Sequence, residues 1–334
     1  MIVRGRNVVL FRRDLMAAFG AAGLVPAAAL GQGNWPTRPV QMIVAFPPGG
    51  QADVTARPTA AALERVFNQP VPVVNRPGAG GIVGSASVAR AAPDGYTSLM
   101  ALSSLAMLPE SERIMGRTPA YTVDQLAPIA RITADPTVFL VPANSPWRTI
   151  DEFVADAKKR PGAITFGSAG NYSTLHVAMA MFTGSADIDL LHVPFQGGGP
   201  ALTALLSGTL DALASGPGPA LAHVKEGRLR ALASWGRERL PGFENVPTFI
   251  ELGHPDVEFY IWSAVFLPAA TPAPIQDRMR QALRQVCERD EGLKRALEAA
   301  GSPIAYQDGA EFERFFREDS ARLVRAVQRI GKVD

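Results

Sequence analysis

The chain has 334 residues, a formal net charge of +2, 47% hydrophobic residues and one cysteine. This length suits one large or two ordinary domains, and the near balance of 33 basic and 31 acidic residues argues against a nucleic-acid partner. A single cysteine, Cys287, excludes an intrachain disulfide and a paired-cysteine metal or redox motif. After roughly the first 30 residues, no apolar run reaches the ~20 residues of a transmembrane helix, which argues against an integral membrane protein.

The amino terminus has the features of an export signal. Four arginines precede an uncharged stretch, residues 15–30, that ends in small side chains. This pattern predicts a secretory signal peptide over residues 1–31, cleaved near Gly31. The pair Arg12-Arg13 also resembles a twin-arginine signal, with general secretion as the alternative route. Either route predicts a periplasmic protein.

The first part of the mature chain alternates strands with helices. Residues 40–46 form a short apolar run that predicts a buried strand, and Pro47-Pro48-Gly49-Gly50 ends it in a turn. Further strands are predicted at 71–74 and 96–102, with helical segments and a glycine-rich stretch between them. This order predicts a parallel sheet with helices on its faces.

A second round of alternation begins near residue 137 and predicts a second α/β unit. Its strands are predicted at 137–141, 164–166, 190–193 and 229–233. A loop-rich passage then leads to an apolar run at 265–268 and two long helices. Because these last helices must return to cover the first sheet, we expect residues 36–138 and 238–334 to form one lobe and residues 139–237 the other.

Two short motifs resemble enzyme signatures without completing them. The glycine-rich stretch that follows the second strand has Val83 where a dinucleotide fingerprint needs glycine. The segment around Ser168 resembles a nucleophile elbow, but Phe166 replaces its first glycine. A secreted α/β hydrolase that uses Ser168 and His176 is therefore the alternative function. The four histidines do not form a spaced ligand set with carboxylates, so we expect no metal and no other cofactor.

Three loops favour binding over catalysis. Residues 47–53, 167–174 and 195–200 each join a strand to the start of a helix, and none contains arginine or lysine. Glycine lets a backbone approach a ligand closely, and the free N–H groups at a helix start attract anions. In open α/β sheets such loops lie at the carboxyl ends of the strands, where ligands bind. Together they predict an anion-binding cleft.

Several motifs occur together along the chain, beginning at Trp35-Pro36. They are Phe46-Pro47-Pro48-Gly49-Gly50-x-x-Asp53-x-x-x-Arg57, Asn75-Arg76-Pro77-Gly78, Pro93-Asp94-Gly95-Tyr96 and His192-Val193-Pro194-Phe195-x-Gly197. In combination they resemble the Bug family, the periplasmic substrate-binding receptors of tripartite tricarboxylate transporters. The resemblance implies a type II periplasmic-binding-protein fold, in which two crossover strands join two α/β lobes. The strands at 137–141 and 229–233 match those crossovers.

The resemblance also implies a function and a site. It implies a non-enzymatic, monomeric receptor that holds a small organic carboxylate through backbone amides and water, for uptake by the membrane components of a transporter or for sensing. Two departures from the family pattern are Pro58, which predicts a kink or a late start in the first helix, and Ser215, where the family more often has an acidic residue. The candidate ligand-binding residues are Phe46, Pro48, Gly49, Gly50, Asp53, Ser103, Gly167, Ser168, Ala169, Ser173, Thr174, His176, Phe195, Gln196, Gly197 and Ser215.

Overall fold

Two separate β-sheets organise residues 35–333, the part of the chain that the computed structural model describes. Each sheet is covered by helices, so the molecule has two α/β lobes. The predicted signal peptide, its cleavage site and the twin-arginine pair lie outside the described residues. Within residues 35–333 no helix is both long and apolar enough to span a membrane.

The first sheet has six strands and is mixed. From one edge to the other they are β11 (Ile304–Asp308), β4 (Leu126–Pro136), β10 (Tyr260–Pro268), β3 (Thr97–Leu102), β1 (Gln41–Val44) and β2 (Val73–Asn75). Strand β1 pairs in parallel with β2 and β3, as the alternation of strands and helices predicts. The sheet as a whole is mixed because β10 returns from the second lobe and pairs antiparallel with both β3 and β4.

The helices of the first lobe pack against the first sheet and against one another. They are α1 (Gln51–Phe67), α2 (Ile82–Ala89), α3 (Ser104–Ile114), α8 (Ala273–Arg289), α9 (Glu291–Ala299) and α10 (Gly309–Ile330). In α10, Phe312, Phe316 and Leu323 recur at helical spacing and are buried. The Phe316 ring centroid lies 5.8 Å from that of Trp262 in β10. The carboxyl-terminal helix thus covers the first sheet.

The second sheet has five strands. In order across the sheet they are β7 (Leu191–Pro194), β6 (Thr165–Ser168), β8 (Ala212–Ser215), β5 (Val138–Pro142) and β9 (Leu229–Ser234). The helices of this lobe are α4 (Ile150–Lys159), α5 (Thr174–Ala186), α6 (Gly198–Leu206) and α7 (Pro217–Lys225). Strand β6 pairs in parallel with β7 and β8, whereas β5 is antiparallel to β8 and β9. Because β6, β7 and β8 each lead into a helix, three helix starts follow the carboxyl ends of parallel strands.

The chain passes between the two sheets twice, as the fold class requires. Only Thr137 separates β4 from β5, and the return runs from the end of β9 through residues 235–259 to β10. The two passages are hydrogen-bonded to each other, because the Trp235 N–H donates to the Thr137 carbonyl at 2.9 Å. Within the return passage, the Phe259 N–H donates to the Trp235 carbonyl at 2.9 Å. The predicted crossover strands correspond to β5 and β9. The assignment of whole residue ranges to each lobe stays a prediction.

Pro58 does not delay or interrupt the first helix. Helix α1 begins at Gln51 and continues through Pro58 to Phe67. Two side chains support the turns on either side, because the Thr55 hydroxyl donates to the Gln51 carbonyl at 3.1 Å and the Thr59 hydroxyl donates to the Thr55 carbonyl at 2.8 Å. Pro58 itself is only half-buried, so water can satisfy the carbonyl that its missing N–H leaves free.

Candidate ligand-binding cleft

A small cavity lies where strand ends and helix starts of the two lobes meet. Its lining residues are Phe46, Gly50, Gln51, Ala52, Leu102, Ala169, Thr174, Leu175, Gly198, Ser215, Gly216, Pro219 and Ile261. They come from the ends of β1, β3, β6 and β8, from the beginning of β10 and from the first turns of α1, α5, α6 and α7. The cavity measures about 20 Å³, which admits about one water molecule. The cleft is therefore closed and must open before a larger ligand can enter.

Glycines let the two lobes touch beside this cavity. A Cβ atom on Gly199 would lie 2.6 Å from the carbonyl oxygen of Pro48, and one on Gly197 would lie 2.5 Å from the Pro47 ring. Real side chains do not tolerate such distances, so only bare backbone fits at these two positions. The loop after β1 and the start of α6 consequently form a direct backbone contact between the lobes.

Three helix starts contribute backbone to the cavity wall. Gly50 at the start of α1, Thr174 in α5 and Gly198 in α6 all lie on its wall. The first N–H groups of a helix have no acceptor within it, and neither α1 nor α6 has a side-chain cap. In the described chain, no lysine, arginine, histidine or acidic residue lines the cavity. Attraction for an anion therefore comes from N–H groups and helix dipoles rather than from a charged side chain.

The start of the fourth helix, α7, is different. Of its first three residues, Pro217 and Pro219 have no backbone N–H. The remaining N–H, that of Gly218, donates to the Gln51 Oε1 atom at 3.1 Å. These three positions of α7 thus present no free donor to the cavity, although Pro219 forms part of its wall.

Asp53 supports the loop after β1 without lining the cavity. Its carboxylate accepts hydrogen bonds from the Gly49 N–H at 3.1 Å, from Arg57 at 2.8 Å and from the Asn75 side chain at 3.0 Å. Asn75 also donates to the Phe46 carbonyl at 2.9 Å. Burial raises the pKa of Asp53, but these hydrogen bonds outweigh burial and hold the pKa below its ordinary value. The charged carboxylate therefore fixes the loop that carries Gly49 and Gly50.

A second buried carboxylate, Asp135, lies behind Gln51. The Gln51 amide donates to Asp135 at 3.2 Å and to the Ser302 hydroxyl at 2.9 Å, and the Ser302 hydroxyl in turn donates to Asp135. Burial raises the pKa of Asp135 to about 7, and the hydrogen bond from Ser302 only partly offsets that rise. Gln51 thus connects the end of β4 with the start of α7.

The predicted pairing of Ser168 with His176 is wrong. The Ser168 hydroxyl lies 2.7 Å from Nε2 of His192, whereas Nδ1 of His176 accepts the Tyr172 N–H at 3.0 Å. The two imidazole rings stack with centroids 4.2 Å apart. Burial lowers the pKa of His176 to about 3 and that of His192 to about 4, far from the value near the operating pH that suits a general base.

No carboxylate within residues 35–333 hydrogen-bonds to either imidazole, so neither ring is oriented as a catalytic base requires. Ser168 is fully buried, and its hydroxyl also bonds to the backbone of Gly170. The hydrolase alternative is therefore not supported. These side chains instead hold the turn between β6 and α5 in shape.

Part of the predicted site lines the cavity and part surrounds it. Phe46, Gly50, Ala169, Thr174 and Ser215 lie on the wall. Pro48, Gly49 and Gly197 belong to the segments through which the lobes touch. Asp53, Ser103 and Ser173 are buried but do not line the cavity, and Gly167, Ser168 and His176 lie within the second lobe. Phe195 is half-buried and Gln196 is exposed. A role of these residues in ligand binding stays a prediction.

Sequence reasoning missed other wall residues. Gln51, Leu102, Leu175, Pro219 and Ile261 line the cavity. Gln51 and Leu175 directly follow predicted residues, so the periodicity of a helix start offered a signal for both. Ile261 offered none, because β10 brings it to the cleft only through its pairing with β3 and β4.

Comparison with known proteins identifies the family. Residues 55–332 match the tripartite tricarboxylate transporter family receptor model. Protein BugT of Bordetella pertussis is 32% identical over 305 residues, which is 91% of this chain and 93% of that protein. The structure of MatC from Rhodopseudomonas palustris with bound malate is similar, with 27% identity, a TM-score of 0.81, and coverage of 88% of this chain and 100% of MatC. The periplasmic binding protein BugD is similar as well, with 25% identity, a TM-score of 0.83, and coverage of 88% and 98%. The chain belongs to the tripartite tricarboxylate transporter receptor family.

Proposed function

We propose that this protein is a periplasmic receptor that closes its two lobes on a small organic carboxylate. One observation carries the proposal: three helix starts with free N–H groups converge on a cavity whose described wall has no charged side chain. Such a wall suits an anion bound by backbone donors. The malate bound to MatC is an organic carboxylate, and BugD is a periplasmic binding protein.

Binding and closure act together in this proposal. The open cleft admits the ligand, whose carboxylate accepts hydrogen bonds from the starts of α1, α5 and α6. Closure then brings Gly199 against Pro48 and removes water from around the anion, which strengthens each hydrogen bond in the less polar surroundings. Asp53 keeps the loop at Gly49 and Gly50 in its binding conformation throughout.

We further propose that the two passages between the sheets act as the hinge. Residues 36–138 and 238–334 would then move as one lobe against residues 139–237. The monomer delivers its ligand to the membrane components of a tripartite transporter, or signals its presence. Export through the predicted signal peptide places the protein in the periplasm.

A ligand panel tests the binding function. The purified protein without residues 1–31 is screened by thermal shift and calorimetry with butanoate, succinate, malate, adipate, benzoate and terephthalate. The uncharged amides butanamide and benzamide serve as controls. A carboxylate present at 100 times its dissociation constant adds about 2.7 kcal/mol to the free energy of unfolding. If no carboxylate stabilises the protein more than the amides do, the proposed function is wrong.

The export route has its own test. Replacing both Arg12 and Arg13 by lysine keeps the charge but removes the twin-arginine pair. We expect periplasmic accumulation of the double variant to fall if the twin-arginine route is used. Unchanged accumulation would leave general secretion as the route.

A further inference from the structure

We propose that the cavity selects a monocarboxylate with a short apolar body over a dicarboxylate. This inference rests on the proposed function and adds to it the chemical class of the ligand. It separates this chain from MatC, whose bound malate carries two carboxylates. The difference lies in the side chains of the cavity wall and in the start of α7.

The larger side chains of the cavity wall are mostly apolar. They include Phe46, Leu102, Pro219 and Ile261, of which Phe46, Leu102 and Ile261 are 5%, 6% and 1% exposed. A second carboxylate placed against them would lose its hydration without gaining a partner, and burial of an unpaired charge is costly. A methyl or ring carbon at the same place gains from the burial of apolar surface.

Three polar groups at or beside the wall are already engaged in hydrogen bonds. The Ser215 hydroxyl donates to the Gly216 carbonyl at 2.9 Å, so its proton is not free for a carboxylate. The Gly218 N–H donates to Gln51 Oε1 at 3.1 Å. The Gln51 amide in turn donates to Asp135 and to Ser302.

The start of α7 is also closed to an anion by its sequence. A helix start usually attracts a carboxylate through its first N–H groups. Pro217 and Pro219 remove two of these three groups from α7. The one N–H that remains, that of Gly218, is bonded to Gln51. A second carboxylate placed at the start of α7 would therefore find no free N–H among the first three residues of that helix.

Matched pairs of ligands test the selectivity. Butanoate and succinate share a four-carbon chain, and benzoate and terephthalate share a ring; each pair differs by one carboxylate. Calorimetry on the same preparation should give a dissociation constant for the better monocarboxylate at least tenfold below that of its dicarboxylate partner. Equal binding within each pair, or tighter binding of the dicarboxylates, overturns the inference and leaves the proposed function intact. No binding of any carboxylate overturns both.

A variant tests the role of α7. Pro219→Ala restores a backbone N–H at the cavity wall, and Pro219 is only partly buried, so the variant should fold. We expect the monocarboxylate preference to fall severalfold in this variant. Pro274→Ala in the first turn of α8 is the matched control, because this exposed proline lies outside the cavity wall. An unchanged preference in Pro219→Ala, or an equal change in Pro274→Ala, overturns the assigned role of the proline.

Discussion

The starts of α6 and α7 use the same two residue types in a different order, with opposite results. Helix α6 begins Gly198-Gly199-Pro200, and α7 begins Pro217-Gly218-Pro219. Both helices follow strands of one sheet and reach the same cavity. Among its first three residues, α6 has two backbone N–H groups, those of Gly198 and Gly199. Helix α7 has only one, that of Gly218, and it donates to Gln51. The position of proline within the first turn thus decides how many N–H groups a helix start leaves free.

The two starts also differ in what their glycines touch. Gly199 approaches the backbone of Pro48, whereas a Cβ on Gly216 would lie 2.4 Å from the side chain of Gln51. A backbone atom in a tight loop cannot move aside, but the end of a glutamine side chain can. Substitution at the α6 start should therefore be the more damaging of the two.

The largest effect is expected for Gly199→Ala. The added Cβ would lie 2.6 Å from the Pro48 carbonyl oxygen, so the lobes cannot close fully. We expect the affinity for the tightest-binding carboxylate of the panel to fall at least a hundredfold, or about 2.8 kcal/mol at 1.4 kcal/mol per tenfold. Calorimetry provides the measurement.

Gly184→Ala in α5 is the control for this substitution. It is also a glycine-to-alanine change within a helix, but a Cβ at Gly184 has no atom within 4 Å. Native affinity is expected. Full affinity in Gly199→Ala, or an equal loss in Gly184→Ala, would show that the interlobe contact does not control binding.

A pH-dependent effect is expected at Asp135. Its folded-state pKa of about 7 lies above the ordinary value, so the folded protein binds a proton that the unfolded chain has already lost. The stabilisation is complete at low pH and is lost as the pH rises toward 7. Asp135→Asn cannot ionise, so its stability relative to the native protein should rise by about 1.4 kcal/mol per pH unit between roughly pH 4.5 and 6.5.

Urea unfolding of both proteins across this pH range measures the difference. The comparison between the two proteins is needed because His176 and His192, whose folded-state pKa values lie below the ordinary one, change the stability of both in the opposite direction. A stability difference that does not vary with pH would mean that Asp135 is already ionised in the folded state at acidic pH.

A smaller effect is expected for Gln51→Ala. The variant loses three hydrogen bonds: the one from the Gly218 N–H and the two that the Gln51 amide donates, to Asp135 and to Ser302. Each such bond contributes about 1 kcal/mol, so the free energy of unfolding should fall by about 2–3 kcal/mol. Gln328→Ala removes an exposed hydrogen bond to Glu110 and serves as the control, with a change below about 0.5 kcal/mol. Equal changes in both variants would argue against the connecting role of Gln51.

The smallest effect is expected for Gln196→Ala. The sequence places Gln196 in a candidate binding loop, but its side chain is exposed and absent from the cavity wall. We expect the affinity to change less than twofold, measured with the same carboxylate as for Gly199→Ala. A tenfold loss would mean that the ligand extends to the surface beside α6.

Sequence patterns predicted the first strands and the loops that lead from strands into helices well, because each depends on local residues. They missed β4, in which two prolines and Arg131 interrupt the apolar pattern. In the sheet, Pro128 pairs with Phe266 on one side and lies beyond the residues that β11 pairs on the other, so its missing N–H is tolerated. They also missed β8, whose four buried residues are too few for a distinct period.

The sequence alone determined the two-lobed α/β architecture and the glycine-rich helix starts, because strand periodicity, turn residues and helix caps are local properties. The tertiary structure decided which residues line the cavity between the lobes. Ile261 and Leu102 reach the cavity through pairing between strands that are distant in sequence. The Gly218 N–H at the start of α7 donates to Gln51, which belongs to the other lobe. Such contacts depend on where the chain returns after folding, which no local pattern encodes.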